Sequence, residues 1–276
     1  MTEKVSEGEA QEVVSSAGFY AESANFTWLR HEVHARVEGT VLDRVLTRHL
    51  PPAPAAIADV GGGNGRWAYR LSGRGYQVWL SDVTPELIFD AGQRATDQPR
   101  LMDCRTADAR QLPYADGSMD ACLLLGPLYG LLRREDRIDA LRETVRVLRP
   151  GGVAFLQSFT RLGGLRSLLT YAPVQADLFD WSSYLDTGRF TDEHLPDLYR
   201  SHAWLTEGEL LEEIRTAGLT LEWLTGMDGP APGTGQDHLA EAPIQFVEQW
   251  ADIAMQVGSS PAGRATADHL LAVARS

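Results

Sequence analysis

The stretch Ala56-Ile57-Ala58-Asp59-Val60-Gly61-Gly62-Gly63-Asn64-Gly65-Arg66-Trp67 restricts the possible folds of this 276-residue chain more than any other. An apolar run stops in four glycines and a helical pattern starts straight after, which reads as strand, tight turn, helix. Glycine takes positive φ freely and lets a ligand approach the main chain, and a helix beginning there directs unbonded N–H groups into the turn. An anionic or strongly polar ligand is therefore expected. The glycines alternate, as Asp59-x-Gly61-x-Gly63-x-Gly65, instead of following the Gly-x-Gly-x-x-Gly spacing of dinucleotide sites, which disfavours a nicotinamide-linked oxidoreductase.

Strand, acid and helix recur downstream. A helix from Arg66 to Arg74 ends at Gly75, and Tyr76-Gln77-Val78-Trp79-Leu80-Ser81-Asp82 reads as a second strand closed by an acid. At a strand's carboxyl tip Asp82 borders the ligand crevice of an open α/β sheet, where one carboxylate can accept both hydroxyl protons of a ribose. Its other reading is a cap for the helix starting at Thr84-Pro85-Glu86, although Thr84 is better placed for that. A third strand, Leu101 to Thr106, runs into Ala107-Asp108-Ala109, where Asp108 is again an acid at a strand end or simply a turn aspartate. Met119 to Leu125 is the continuous apolar run of a strand buried on both faces, broken at Gly126-Pro127. A periodic helix from Arg133 to Leu148 is stopped by Arg149-Pro150-Gly151-Gly152 ahead of a fifth strand, Val153 to Phe159.

The alternating glycine turn, the acidic strand ends, the run Leu123-Leu124-Leu125-Gly126-Pro127-Leu128-Tyr129 and the corner Val147-Leu148-Arg149-Pro150-Gly151-Gly152 fall in this order within residues 55–160. Together they resemble the class I S-adenosylmethionine-dependent methyltransferases, and in particular a small-molecule subgroup. The resemblance implies an α/β fold, a Rossmann-like doubly wound seven-stranded sheet with its last strand antiparallel. It implies S-adenosyl-L-methionine as cofactor and S-adenosyl-L-homocysteine as product. On this likeness the cofactor contacts fall on Asp59, Gly61, Gly63, Asn64, Gly65, Asp82, Val83, Asp108, Ala109 and Gly126, with Tyr20 from a segment that commonly lies over the ligand in this fold. Asp108 would meet the exocyclic amine of adenine. Tyr129 faces the methyl group or merely packs, and the next position, where members of the subgroup often carry histidine, is Gly130 here. The implied activity is methyl transfer to O or N of a small-molecule acceptor, in bacterial specialised metabolism. Its rival is a cyclase-like or ligand-binding protein that holds the same ligand without transferring methyl.

The flanks are read from residues alone. Residues 1–16 are polar and acidic and expected to fray, and 17–50 form an N-terminal helical cap with a helical stripe over about 22–49 that ends at Pro51-Pro52. The aromatics Phe19, Tyr20, Phe26 and Trp28 serve either as a lid or as plain core. The core proper spans 51–276, with an insertion at 160–205 after the fifth strand, rich in aromatics and histidines. There Trp181, Tyr184, Tyr199 and Trp204 join Trp28 and Tyr129 as candidate acceptor contacts, or serve only to fold the insertion on itself. Histidine titrates near neutral pH, so His202 and His194 are the candidate general bases, with Tyr129 beside them and His31 and His34 as weaker choices. No metal-ligating set is expected. Thr206 caps a helix to Ala217, a strand covers 219–224, a helix runs from about Ala242 to Gln256, and the last strand, from His269, pairs antiparallel with 219–225.

A formal charge of −13 argues against a surface that neutralises phosphates, so neither nucleic acid nor an anionic membrane is an expected partner. Cys104 and Cys122 fall on strands that are not neighbours, so no disulfide is expected and a reducing cytoplasm suits the chain. The opening residues lack a secretory pattern, and no apolar run nears bilayer length. A monomer or homodimer is expected.

Overall fold

Every side chain of β1 (Ala56–Val60) is buried, and a strand apolar on both faces must lie inside a sheet covered on both sides. β1 pairs in parallel with β2 (Gln77–Asp82) and β4 (Met119–Leu124). β3 (Asp103–Thr106) and β5 (Leu148–Phe159) extend the parallel sheet outward, β7 (His269–Arg275) pairs antiparallel with β5, and β6 (Thr220–Gly226) antiparallel with β7. The order β3-β2-β1-β4-β5-β7-β6 is the seven-stranded, doubly wound sheet expected, with its last strand reversed. Strand order switches between β1 and β4, so the crevice opens at their carboxyl ends. The computed structural model describes residues 33–94, 98–171, 180–191, 195, 197–229 and 242–276.

Alternation along the strands divides the core into two layers. Ile57, Leu80, Leu123, Phe155 and Val273 face α1 (Val33–His49), α2 (Arg66–Ser72) and α10 (Ile244–Gly258). Ala58, Cys122, Leu124, Ala154 and Leu156 face α5 (Arg134–Val147) and α9 (Glu207–Thr216). α3 (Pro85–Arg94) connects β2 to β3, and the single turn α4 (Pro127–Gly130) caps the end of β4. The described part of the N-terminal helix contributes its apolar stripe to the core, with Val37, Val41, Leu42, Val45 and Leu46 buried. Phe19, Tyr20, Phe26, Trp28, His31 and the fraying expected of 1–16 lie outside the described residues.

The insertion contains α6 (Arg161–Tyr171), α7 (Trp181–Thr187) and α8 (Asp197–Arg200). Thr206 and Glu209 form a capping box at the start of α9, as the sequence led us to expect. α11 (Pro261–Thr266) precedes β7. Cys104 and Cys122 are free, on β3 and β4, with β2 and β1 between them. Among the described residues no helix is long and apolar enough to cross a membrane.

Candidate active site

The glycine turn holds itself in shape. Gly61, Gly63 and Gly65 all take positive φ, of 66°, 57° and 81°. The N–H groups of Gly61 and Gly62 both donate to the Ser81 carbonyl, at 2.7 and 3.2 Å, and that of Gly65 donates to the Gly62 carbonyl. Gly63 N–H donates to Asp82 Oδ2 at 2.9 Å. The turn thus offers space and a fixed shape, with the N–H groups of Gly61, Gly62, Gly63 and Gly65 bonded within the protein. No side chain fits at its heart, since a Cβ on Gly61 would lie 2.6 Å from the Pro127 ring, and one on Gly126 3.1 Å from the Gly61 carbonyl oxygen. The tips of β1 and β4 thus meet with no room for a side chain on Gly61 or Gly126, and Asn64 is half-buried.

Two carboxylates flank this cradle. Asp59 is 1% exposed, and its Oδ2 has no hydrogen-bond partner. Burial pushes its carboxyl up to about 7, against the pull of the Ala68 N–H and with help from the neighbouring Asp82 charge. Asp82, also buried, accepts from Gly63 through Oδ2 and from the Thr84 N–H through Oδ1 at 2.8 Å. Burial raises its pKa, which these two N–H groups partly offset. One carboxylate therefore ties the glycine turn to the Val83–Thr84 turn. A buried, orphaned carboxylate oxygen beside a cradle that excludes Cβ atoms fits a polar cofactor with a cationic group.

Asp108 is differently placed. Its two oxygens accept from the Arg110 guanidinium at 2.8–3.2 Å and from the Arg110 N–H at 2.8 Å, and Arg110 also reaches Asp136 at 2.8 Å. Burial works against the charge, but Arg110 holds the Asp108 carboxyl below its usual range. Its neighbour Ala109 is buried. Arg110 is a partner that the sequence reading missed; its signal is the Asp-x-Arg spacing at a strand end.

Beyond the tip of β4 the Tyr129 ring stacks on Phe159 at 3.9 Å, with His202 5.5 Å from Tyr129 and 5.6 Å from Phe159. The main chain locks this contact, Ala203 N–H donating to the Tyr129 carbonyl at 2.7 Å. His202 is 1% exposed, and its Nδ1 lies 3.1 Å from Ser201 Oγ. The structure thus gathers Tyr129 and His202, while His194 lies outside the described residues.

The candidate acceptor contacts divide. Tyr184, Tyr199 and Trp204 are buried in the insertion's own core with Leu168, Phe190 and Leu195, and half-buried Trp181 packs against that core. The Tyr184 hydroxyl donates to the Arg161 carbonyl at 2.8 Å, and a Cβ on Gly164 would lie 2.2 Å from it. Their burial agrees with the second of the two readings, aromatics that fold the insertion on itself. The Trp204 ring also lies 5.0 Å from Phe159.

A second cluster was missed altogether. His269, at the start of β7, pairs with Phe159 across the sheet, its ring 4.7 Å from the Phe159 ring. Its Nδ1 meets Glu38 of α1, and Asp228 Oδ1 lies 3.4 Å away. The available signal was a charged residue, Glu38, inside the valine stripe of a helix. A cavity of about 400 Å³ lined by Arg137, Arg189, Glu209 and Glu213 lies between the insertion, α5 and α9, and none of its walls is a glycine-turn residue.

Residues 58–156 match the family model described as a methyltransferase domain. The ubiquinone/menaquinone biosynthesis C-methyltransferase UbiE of Chromobacterium violaceum is 32% identical over 110 residues, which cover 38% of this chain and 43% of that protein. The chain thus spans less than half the length of the curated relatives it matches. Among solved structures, a SAM-dependent methyltransferase from Methanosarcina mazei superposes with a TM-score of 0.57 at 16% identity, covering 83% of this chain and 96% of that one. The cyclase SpnF does so with a TM-score of 0.56 at 18% identity, covering 86% and 80%. Residues 58–156 thus match a methyltransferase domain, and the fold around them is the one shared by solved S-adenosylmethionine-dependent methyltransferases.

Proposed function

We propose that this protein transfers the methyl group of S-adenosylmethionine to a small-molecule acceptor. The observation that carries the reading is the pairing of a Cβ-excluding glycine cradle with the buried, unpartnered Asp59 oxygen at the tip of β1. Gly61 to Gly65 would take the amino-acid tail, Asp59 the charge of its ammonium, and Asp82 the ribose hydroxyls. Ala109 lies against the adenine, and Asp108, already clamped by Arg110, orders that turn. Tyr129 stands at the acceptor side, backed by Phe159 and His202.

When bound, the cofactor supplies an electrophilic methyl already activated by the sulfonium charge. The chain's part is to align the acceptor in line with it and exclude water. The acceptor is an oxygen or nitrogen nucleophile of specialised metabolism, or an activated carbon as the name of the UbiE relatives suggests. Cytoplasmic residence and a monomer or homodimer complete the proposal.

Calorimetry with S-adenosylhomocysteine tests it: the parent should bind, and Asp82→Ala should weaken binding by about 10-fold or more, the loss of a charge-assisted pair of hydrogen bonds. Equal binding by parent and variant, or none by the parent, would overturn the site. An acceptor product of unchanged mass would overturn methyl transfer and leave binding intact.

A further inference from the structure

We propose that Glu38, Asp228 and His269 form a binding site for a first-row divalent cation at the acceptor edge of the sheet. They come from three separate elements, α1, the turn after β6 and the start of β7, yet their ligand atoms all lie within 4.8 Å of one another. Asp228 is pre-set for the role. Its Oδ2 accepts from the main-chain N–H groups of Asp268 at 2.6 Å and His269 at 3.0 Å, which fixes the carboxylate plane. That orientation turns Oδ1 toward the imidazole, fully buried and without a hydrogen bond.

The His269 Nδ1 carries at most one proton for two carboxylates, Glu38 and, at 3.4 Å, Asp228. A buried carboxylate oxygen left without a donor costs about 1–3 kcal/mol or more, and such groups are nearly always satisfied. Arg166 is bound to Asp268, Arg66 feels the Glu38 charge from one side, and the two carboxylates converge on one imidazole. A divalent ion with neutral imidazole balances two carboxylates.

The geometry suits such an ion. Ligands about 2.1 Å from a metal sit roughly 3.0–3.4 Å apart, so the 3.4 Å gap between Asp228 Oδ1 and His269 Nδ1 is already an edge of the coordination polyhedron, and the longer Glu38 side chain has only to rotate. One imidazole nitrogen with two carboxylate oxygens selects Mn²⁺, Fe²⁺, Co²⁺ or Zn²⁺ over the all-oxygen sites of Ca²⁺. His269 and Glu38 keep 22% and 12% of their side chains accessible, which leaves the site a side open to water or to an acceptor oxygen. Resting on the methyltransferase reading, an acceptor hydroxyl bound there would stand one aromatic ring from Tyr129 and lose its proton more readily.

The test uses the full chain stripped with EDTA and titrated with Co²⁺ and Mn²⁺, followed by calorimetry and by the visible absorption of bound Co²⁺. One equivalent should bind, with affinity reduced at least 10-fold in Glu38→Gln and Asp228→Asn while S-adenosylhomocysteine binding persists in both. No saturable uptake by the parent, or uptake equal in parent and variants, overturns the proposal. Should Asp228→Asn fail to fold, Glu38→Gln and a Mn²⁺-dependent rise in the parent's Tm decide it. Cation uptake without S-adenosylhomocysteine binding would keep the cation site and reject the cofactor site.

Discussion

Replacing Asp59 with asparagine should stabilise the protein at alkaline pH and change its pH dependence in one direction. The Asp59 carboxyl is raised from 3.8 to about 7 because burial disfavours its charge. Below about pH 4 the group is neutral in both folded and unfolded chains, and its contribution is fully present. As pH rises toward 7 the unfolded chain ionises it and the folded chain does not, so stability falls by ~1.4 kcal/mol per pH unit. Above about pH 7 the loss levels off near 4 kcal/mol, about 3 units in all. Asparagine cannot ionise, so denaturant unfolding of parent and variant from pH 4.5 to 8.5 should show a difference that grows in the variant's favour and then flattens. The pH-independent offset between them reports the desolvation of the new amide; the slope isolates the carboxylate. A difference that stays flat across the range would refute the argument that Asp59 is held neutral by burial. The same site is where the proposed cofactor brings an ammonium, so the native carboxylate trades stability for a binding charge.

Gly61→Ala meets both a positive φ and the Pro127 ring at 2.6 Å, so a loss of about 2–4 kcal/mol in unfolding free energy, with S-adenosylhomocysteine binding lost in calorimetry, is expected; a variant with parental stability would show that α4 moves aside freely. Arg137 and Glu213 join α5 to α9 through a buried bidentate pair, with Arg137 also donating to the Leu131 and Leu132 carbonyls at 3.0 Å. Arg137→Met should cost about 3–5 kcal/mol, measured by urea unfolding, because it strands the Glu213 charge. A cost under about 1 kcal/mol would mean that water reaches Glu213.

The parallel half of the fold was legible because its signals are local. Apolar runs ended by glycines or acids fix β1, β2 and β4, and the capping box at Thr206 fixes the start of α9. Even the reversed strand was legible, as His269 opens an apolar run after a helix. What that placement brings beside His269 was not, because a contact between Glu38 and His269 depends on three elements packing at once. Burial also hid the outcome at Tyr184 and Tyr199: composition marks an aromatic, while only tertiary packing says whether its ring faces a cleft or its own cluster. Arg110 was missed for the opposite reason, since an Asp–Arg pair two residues apart is too common to single out.

The reversal of β7 also fixes when the two sides of the crevice can come into being. The glycine turn, its carboxylates and the Pro127 ring that closes the cradle all lie within residues 56–127, close together along the chain, and leave the ribosome together. The opposite wall waits for the last strand, because β7 slots between β5 and β6 and carries a histidine to a glutamate 231 positions earlier. Until residues 269–275 arrive, β5 presents an unpaired edge and β6 has no neighbour. A nascent chain at that stage holds a half-built cleft and a sticky flank, which makes the C-terminal strand the lock on the domain.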